Sequence, residues 1–212
     1  MDDNFSHVVS LLLLLFCGGA FLSLVLLRYV RPRWEGYRRS VIYGLCLFVC
    51  GLCSYLYTTG FSGLPVPLLR QFDHAAIFLL IAGTYTPFAT HLILGPFRIR
   101  LLYWIWGIAI TGVLLRFVVT TGYDKLFLAL YLAAGWMFLT ALPDVIRRIP
   151  RRSLVFLGLG AVVYSSGAII FAIDAGSWTV SIWHIFVLIA AALHYIAVVS
   201  LGAGRKDATV LP

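Results

Sequence analysis

The chain alternates between long apolar runs and short polar links. Seven apolar runs fall at about residues 8–27, 41–58, 74–94, 101–119, 126–142, 154–173 and 178–201. Each is close to the roughly 20 residues that a helix needs to cross about 30 Å of hydrocarbon. In lipid, only a helix lets a single segment satisfy its own backbone hydrogen bonds. The pattern predicts an all-α membrane protein, a bundle of seven transmembrane helices forming one membrane domain over residues 1–212.

The link before the third run differs from the others in its turn-forming residues. It covers residues 60–71 and contains Gly60, Gly63, Pro65 and Pro67, which predict irregular structure. The third run is therefore expected to begin with an acid and an imidazole, at residues 73 and 74. Ionisable groups at a membrane helix are costly and are usually retained for a function.

Composition supports the membrane class. The chain is 62% hydrophobic and 11% charged, with a mean hydropathy of +0.99, whereas soluble domains are about 45–50% apolar and about 25% charged. The first run follows acids and precedes arginines, the wrong polarity for a cleaved signal peptide, so it is predicted to be the first span. All four cysteines fall inside apolar runs, which argues against a disulfide framework.

The net charge of +8 comes from arginines and lysines in the links. If seven spans alternate across the membrane, 13 of the 16 basic residues lie on the side of the C-terminus. The positive-inside rule then places the C-terminus in the cytoplasm and the N-terminus outside. This distribution favours membrane lipids as partners over nucleic acid. The four-arginine link at residues 147–152 fits a bacterial inner membrane.

Several polar residues are predicted to meet at the outer end of the bundle. Ser54 lies near the end of the second run, Asp73 and His74 begin the third, and His184 lies about two turns into the seventh. His194 follows ten residues later, about 15 Å deeper. Such a group would suit a metal, a proton relay or a lipid head group. The alternative is that each side chain only caps or anchors a helix end.

The sequence contains no motif of a soluble catalyst. A P-loop, a GxGxxG turn and an HExxH helix are all absent from it, and these are the motifs with a defined chemical mechanism. No residue is therefore assigned a catalytic role from the pattern, and Ser54 and Asp73 are the only candidates.

Three segments carry a family resemblance: SYLY at residues 54–57, FDHAAIFLLIAGTYTPF at 72–88 and WHIFVLIAAALHY at 183–195. They resemble the hemolysin III branch of the progestin and adipoQ receptor family, which are seven-helix membrane proteins. The resemblance extends from His7 to about Leu201. It implies a zinc site made by Ser-x-x-x-His on helix 2, Asp on helix 3 and His-x-x-x-His on helix 7. Zinc with an open position would activate water for hydrolysis of a lipid amide such as ceramide.

The zinc ligands that the resemblance implies are only partly present. Ser54, Asp73 and His184 match, but Thr58 and Val180 stand where the other two histidines are expected. We therefore expect no cofactor, with His184 as a remnant, and zinc on rebuilt ligands as the alternative. Without the metal, Asp73 would need another positive charge, because an unpaired buried carboxylate is costly. Arg116 and Arg70 are the predicted charge partners of Asp73.

Three functions follow as expectations. The first is a hemolysin III-like, non-catalytic membrane protein that senses or adjusts the membrane or binds a lipid in its bundle. The second is a metal-dependent hydrolase of membrane lipid amides with a rebuilt site. The third is a pore or proton path through Asp73, His184 and His194. The resemblance implies a cytoplasmic polar site, whereas the charge distribution predicts an outer one.

Overall fold

A computed structural model of the chain describes residues 2–30, 35–92, 96–119, 122–173 and 176–203. The elements in these ranges are all helical, which confirms the predicted all-α membrane fold. Two short 3₁₀ helices, Met137–Ala141 and Gly176–Trp178, precede α6 and α8. The α-helices are α1 (Asp2–Val30), α2 (Glu35–Thr59), α3 (Val66–Leu92), α4 (Pro96–Val118), α5 (Asp124–Trp136), α6 (Leu142–Arg148), α7 (Arg151–Ile173) and α8 (Thr179–Ala203).

Six of the described helices are long and apolar enough to cross a membrane, namely α1, α2, α3, α4, α7 and α8. The predicted fifth span is instead divided: α5 ends at Trp136, and a 3₁₀ segment leads into α6. Gly135 weakens the helix at this point. The carbonyl groups of Ala134 and Gly135 also both accept hydrogen bonds from the Tyr85 hydroxyl.

Helix α3 begins earlier than the sequence indicated. It starts at Val66, so the irregular link predicted over residues 60–71 is wrong for its second half. Pro67 is tolerated because the first turn of a helix has no intrahelical partner for its N–H. Asp73 therefore lies two turns inside α3 rather than at its first residue. The predicted end of this run, at Leu94, lies outside the described residues.

Helix α3 is the centre of the arrangement. It packs between α2 and α4 and also contacts α5 and α8, while α7 pairs with α8 and α1 lies against both α2 and α8. The helix α5 touches α3 on one side and α7 on the other. This leaves α5 as the wall between α3 and α7, and it places the middle of α3 in the core.

Close approach of α2 to α3 depends on a small residue. A Cβ added at Gly83 would lie 2.7 Å from Cys46 Cβ. Small residues let membrane helices approach closely where lipid supplies no hydrophobic driving force. The contact between α2 and α3 is also what holds Ser54 beside Asp73, as described below.

We expect Gly83→Ala to lower the free energy of unfolding by about 1–3 kcal/mol, the usual cost of overpacking. The control is Gly107→Ala on α4, where an added Cβ meets nothing within 4 Å. That change should be neutral or stabilising by up to about 1 kcal/mol, from helix propensity alone. Unfolding in mixed detergent measures both. Equal effects of the two substitutions would contradict the close contact.

Candidate functional site

The structure brings Ser54 and Asp73 into direct contact. The Ser54 hydroxyl donates to Asp73 Oδ1 at 2.5 Å, and the two residues are only 3% and 4% exposed. No other hydrogen bond or ion pair to Asp73 is found within the described ranges. One carboxylate oxygen is thus held by serine, and the other remains available as an acceptor.

Both residues line an elongated cavity of about 140 Å³ between α3, α5, α7 and α8. Its walls are almost entirely apolar. Ser54 and Asp73 lie at one end, and the lining continues along α3 to Ala89, about 24 Å further at the helical rise. The cavity is long, narrow and apolar, and the carboxylate of Asp73 lies at one end.

His194 lines the same cavity from α8. Its Nε2 donates to the Leu157 carbonyl oxygen at 3.2 Å, and its ring lies 5.4 Å from that of Tyr164. Gly160 faces the imidazole so closely that an added Cβ would clash with it. His194 is therefore fixed in place by α7 and separated from Asp73 by apolar wall.

Most other hydroxyl groups on the cavity wall have donated their protons within the protein. Each bonds a backbone carbonyl: Thr84 to Leu80, Tyr85 to Ala134 and Gly135, Tyr131 to His74, and Ser165 to Ala161. These groups offer oxygen lone pairs to the cavity and no free O–H. The wall therefore presents apolar surface with a few hydrogen-bond acceptors.

A second polar cluster lies beside the first and joins α3, α4 and α5. Arg116, only 1% exposed, donates to Asp124 Oδ1 at 2.8 Å and to His74 Nδ1 at 2.6 Å. Arg70 donates to Asp124 Oδ2, also at 2.8 Å. Because a guanidinium can only donate, His74 accepts at Nδ1 and its ring proton lies on Nε2.

Asp124 is the anion that balances this cluster, and it lies outside the six candidate spans. Partial burial alone would raise its pKa, but the hydrogen bond from Arg116 and the charge of Arg70 hold the pKa below its usual value. A lowered pKa means that the carboxylate stabilises the fold above its ordinary pKa of 3.8. This stabilisation is lost as the pH falls through the lowered value.

The two arginines were predicted to pair with Asp73, and the structure pairs them with Asp124 instead. The reason is geometric: Asp73 faces Ser54 of α2, whereas Asp124 begins α5 opposite both guanidinium groups. The sequence analysis missed Asp124 as a partner of the arginines. It could have been found, because Asp124 is an acidic residue on the same predicted side of the membrane as both arginines.

His184 forms no hydrogen bond with the other predicted site residues in the described part of the chain. It is fully buried, and neither ring nitrogen has a hydrogen-bond partner in the described part of the chain. It is not among the residues lining the cavity. One turn earlier on α8, Ser181 bonds Ser6 of α1 at 2.5 Å. Of the five predicted polar residues, Ser54, Asp73 and His194 share the cavity, while His74 belongs to the arginine cluster.

The residues at the expected zinc positions do not form a zinc site. The Thr58 hydroxyl is bonded to Ser10 Oγ at 2.7 Å and to the Ser54 carbonyl oxygen at 2.9 Å, and Val180 has no lone pair. Across the described ranges, no three His, Cys, Asp or Glu side chains converge as a metal site would require. Structural and catalytic zinc sites need three or four such ligands, so the donors described here do not fit one.

The family profile and the two bacterial relatives described here all match the chain to haemolysin III proteins. The profile of the family described as "Haemolysin-III related" matches residues 3–195. "Hemolysin-3" of Bacillus cereus is 32% identical over 161 residues, covering 74% of this chain and 72% of that protein. The "Hemolysin-3 homolog" of Bacillus subtilis (strain 168) is 30% identical over 147 residues, 69% of each chain. The human "Monocyte to macrophage differentiation factor" is 29% identical over 130 residues, 59% of this chain and 52% of that protein.

Proposed function

The chain belongs to the haemolysin-III-related family of integral membrane proteins, and we propose that it is a non-catalytic member that holds a lipid chain inside its helix bundle. The observation that carries the proposal is the cavity with Ser54 and Asp73 at one end. Through the bound lipid, the protein would sense or adjust the state of the membrane.

The shape and lining of the cavity favour an alkyl chain over a polar solute. An apolar cavity of about 150 Å³ is large enough to take up benzene and stays free of water. The cavity here is of similar volume, about 140 Å³, and its lining extends along α3. By that comparison it takes roughly the first six carbon atoms of a hydrocarbon chain, with the polar head beside Asp73 and the rest of the chain outside the cavity.

The surrounding helices also favour entry from the lipid. Between α5 and α7, Trp136 Nε1 donates to Ser165 Oγ at 3.0 Å, and this hydrogen bond is exposed. Both residues line the cavity, so this exposed contact is part of the wall between α5 and α7. Separation of the Trp136 and Ser165 side chains would admit a lipid chain laterally from the membrane.

Seven crossings in one membrane domain remain our proposal for the architecture. The segments α5, Met137–Ala141 and α6 are consecutive and cover residues 124–148. At about 1.5 Å per residue, these 25 residues would reach about 37 Å, enough to cross roughly 30 Å of hydrocarbon. With seven crossings, the basic links support an outer N-terminus, a cytoplasmic C-terminus and a bacterial inner membrane.

The hydrolase and the pore have less support. The metal-dependent hydrolase would need at least three ligands for its metal, and the donors described near Asp73 do not provide three. A proton path would need polar groups between Asp73 and His194. The wall between them is mostly apolar, and the hydroxyl groups of Thr84 and Tyr85 are bonded to backbone carbonyls.

The test is to fill the cavity with Ala161→Trp on α7, because Ala161 lines it. We expect the purified variant to retain at least about fivefold less co-purified lipid, since a clash of roughly 1–3 kcal/mol weakens binding by about 5- to 150-fold. Lipid extraction and mass spectrometry, normalised to protein, give the stoichiometry.

The matched control is Ile169→Trp on the same helix, at a side chain that is 57% exposed. It adds an indole to the outer surface and should leave the retained lipid unchanged. Equal lipid content in the parent and Ala161→Trp would contradict binding in the cavity. Equal loss in both variants would assign the lipid to the outer surface.

A further inference from the structure

We infer that the lipid in this cavity carries a hydrogen-bond donor as its head, an ammonium or hydroxyl group, rather than a carboxylate or phosphate. The inference rests on the proposed function, because it names the chemistry that the lipid end beside Asp73 must have. It follows from the hydrogen bonds that the polar end of the cavity has already made.

Asp73 has one carboxylate oxygen without a hydrogen-bond donor. The residue is only 4% exposed, lines the cavity, and accepts one hydrogen bond, from Ser54. No cation within 4.0 Å of it is found among the described residues. A carboxylate removed from water with one oxygen unsatisfied is costly. A ligand that donates to this oxygen removes that cost.

The two nearby cations do not bind Asp73 directly. Arg70 and Arg116 both donate to Asp124, and the same Nη2 of Arg116 also donates to His74 Nδ1. Neither guanidinium group lines the cavity, so a lipid carboxylate or phosphate placed beside Asp73 would meet a like charge with no cation in contact with it. Like charges brought together at low dielectric repel strongly.

The hydroxyl groups nearby do not help an anionic head. The Ser54 proton is used on Asp73, and the Tyr131 proton is used on the His74 carbonyl oxygen. Of the lining hydroxyls, Tyr164 alone has no acceptor in the described ranges, and it lies on α7 beside the His194 ring. The indole N–H of Trp183 also lines this end of the cavity, but one neutral donor does not offset the repulsion between Asp73 and an anionic head.

The experiment compares three probes with the same hydrocarbon chain: hexadecylamine, hexadecan-1-ol and palmitate. Each is titrated at neutral pH into delipidated protein in detergent, with the shift of the unfolding midpoint as readout. We expect the amine and the alcohol to bind at least about tenfold more tightly than palmitate, as one hydrogen bond to a charged group can supply.

Two variants locate the preference. Asp73→Asn keeps the shape and an acceptor for Ser54 but removes the charge, so the advantage of the amine should fall about tenfold while the alcohol still binds. Ser54→Ala removes the internal donor and keeps the carboxylate, so the advantage of the amine should persist. Ala161→Trp should weaken all three probes and so separates binding in the cavity from binding to the micelle.

The outcomes are distinct. Palmitate binding as tightly as the amine would overturn the inference and assign a proton to Asp73, while lipid binding itself would stand. An amine preference unchanged in Asp73→Asn would also overturn it, because the head would then lie elsewhere. If no probe binds, or Ala161→Trp changes nothing, the proposed function fails and the inference fails with it.

Discussion

Asp124→Ala should lower the free energy of unfolding by roughly 3 kcal/mol. Removing one partner of a buried ion pair typically costs about 3–5 kcal/mol, because the other charge is left buried and unpaired. Here the stranded charge is Arg116, whose side chain is 1% exposed. We expect the lower end of that range because the Asp124 carboxylate is itself 33% exposed. Unfolding in mixed detergent at neutral pH measures the loss.

Two further variants show whether burial is the cause. Arg70→Ala removes the outer half of the cluster, where both side chains are about one-third exposed, and should cost at most about 1 kcal/mol. Combining Asp124→Leu with Arg116→Leu should restore much of the stability, since apolar replacement of a buried pair is often neutral. A double variant as unstable as Asp124→Ala would contradict an electrostatic origin.

Acidification should reproduce part of the effect of Asp124→Ala in the parent protein. The pKa of Asp124 is held below its ordinary value of 3.8 by the two arginines, so the ion pair persists at that pH. Its contribution to stability is lost only as the pH falls through the lowered pKa. The Asp124→Ala protein should lack this component of its acid sensitivity.

The sequence predicted the parts of the fold that depend on hydropathy. Six apolar runs became long helices because each can satisfy its own backbone hydrogen bonds in lipid. The division of the fifth run was not predictable in this way. It depends on the Tyr85 hydroxyl, which bonds two carbonyl groups where α5 ends. A contact from another helix does not appear in the periodicity of the run itself.

The candidate site was also predictable only in part. The sequence predicted that Ser54 and Asp73 would meet, because both lie at the same depth in the membrane. It did not predict that both arginines would pair with Asp124, because charge counting assigns residues to a side of the membrane and not to a direction around a helix. The early start of α3 at Val66 also mattered, since it places Asp73 within the helix and facing α2.

Phe78→Ala should be the second strongly destabilising change, by roughly 3 kcal/mol. Phe78 is 1% exposed, and its ring lies 4.6 Å from that of Tyr131 and 6.3 Å from that of Phe127, both on α5. Phenylalanine-to-alanine changes in cores cost about 3–5 kcal/mol. We expect the low end because in lipid the loss is mainly packing. The control Phe72→Ala removes a ring that is 42% exposed and should cost well under 1 kcal/mol.

A double-mutant cycle with Gly112 tests whether this ring joins α3 to α4. A Cβ added at Gly112 would lie 2.5 Å from Phe78 Cζ, so Gly112→Ala alone should destabilise by about 1–3 kcal/mol. In the Phe78→Ala background the obstructing ring is gone, and the same alanine should be neutral or stabilising. Additive losses would mean that Gly112 and Phe78 act independently. Coupling would identify the Phe78 ring as a direct contact between α3 and α4, on the same side chain that packs against Tyr131 and Phe127 of α5.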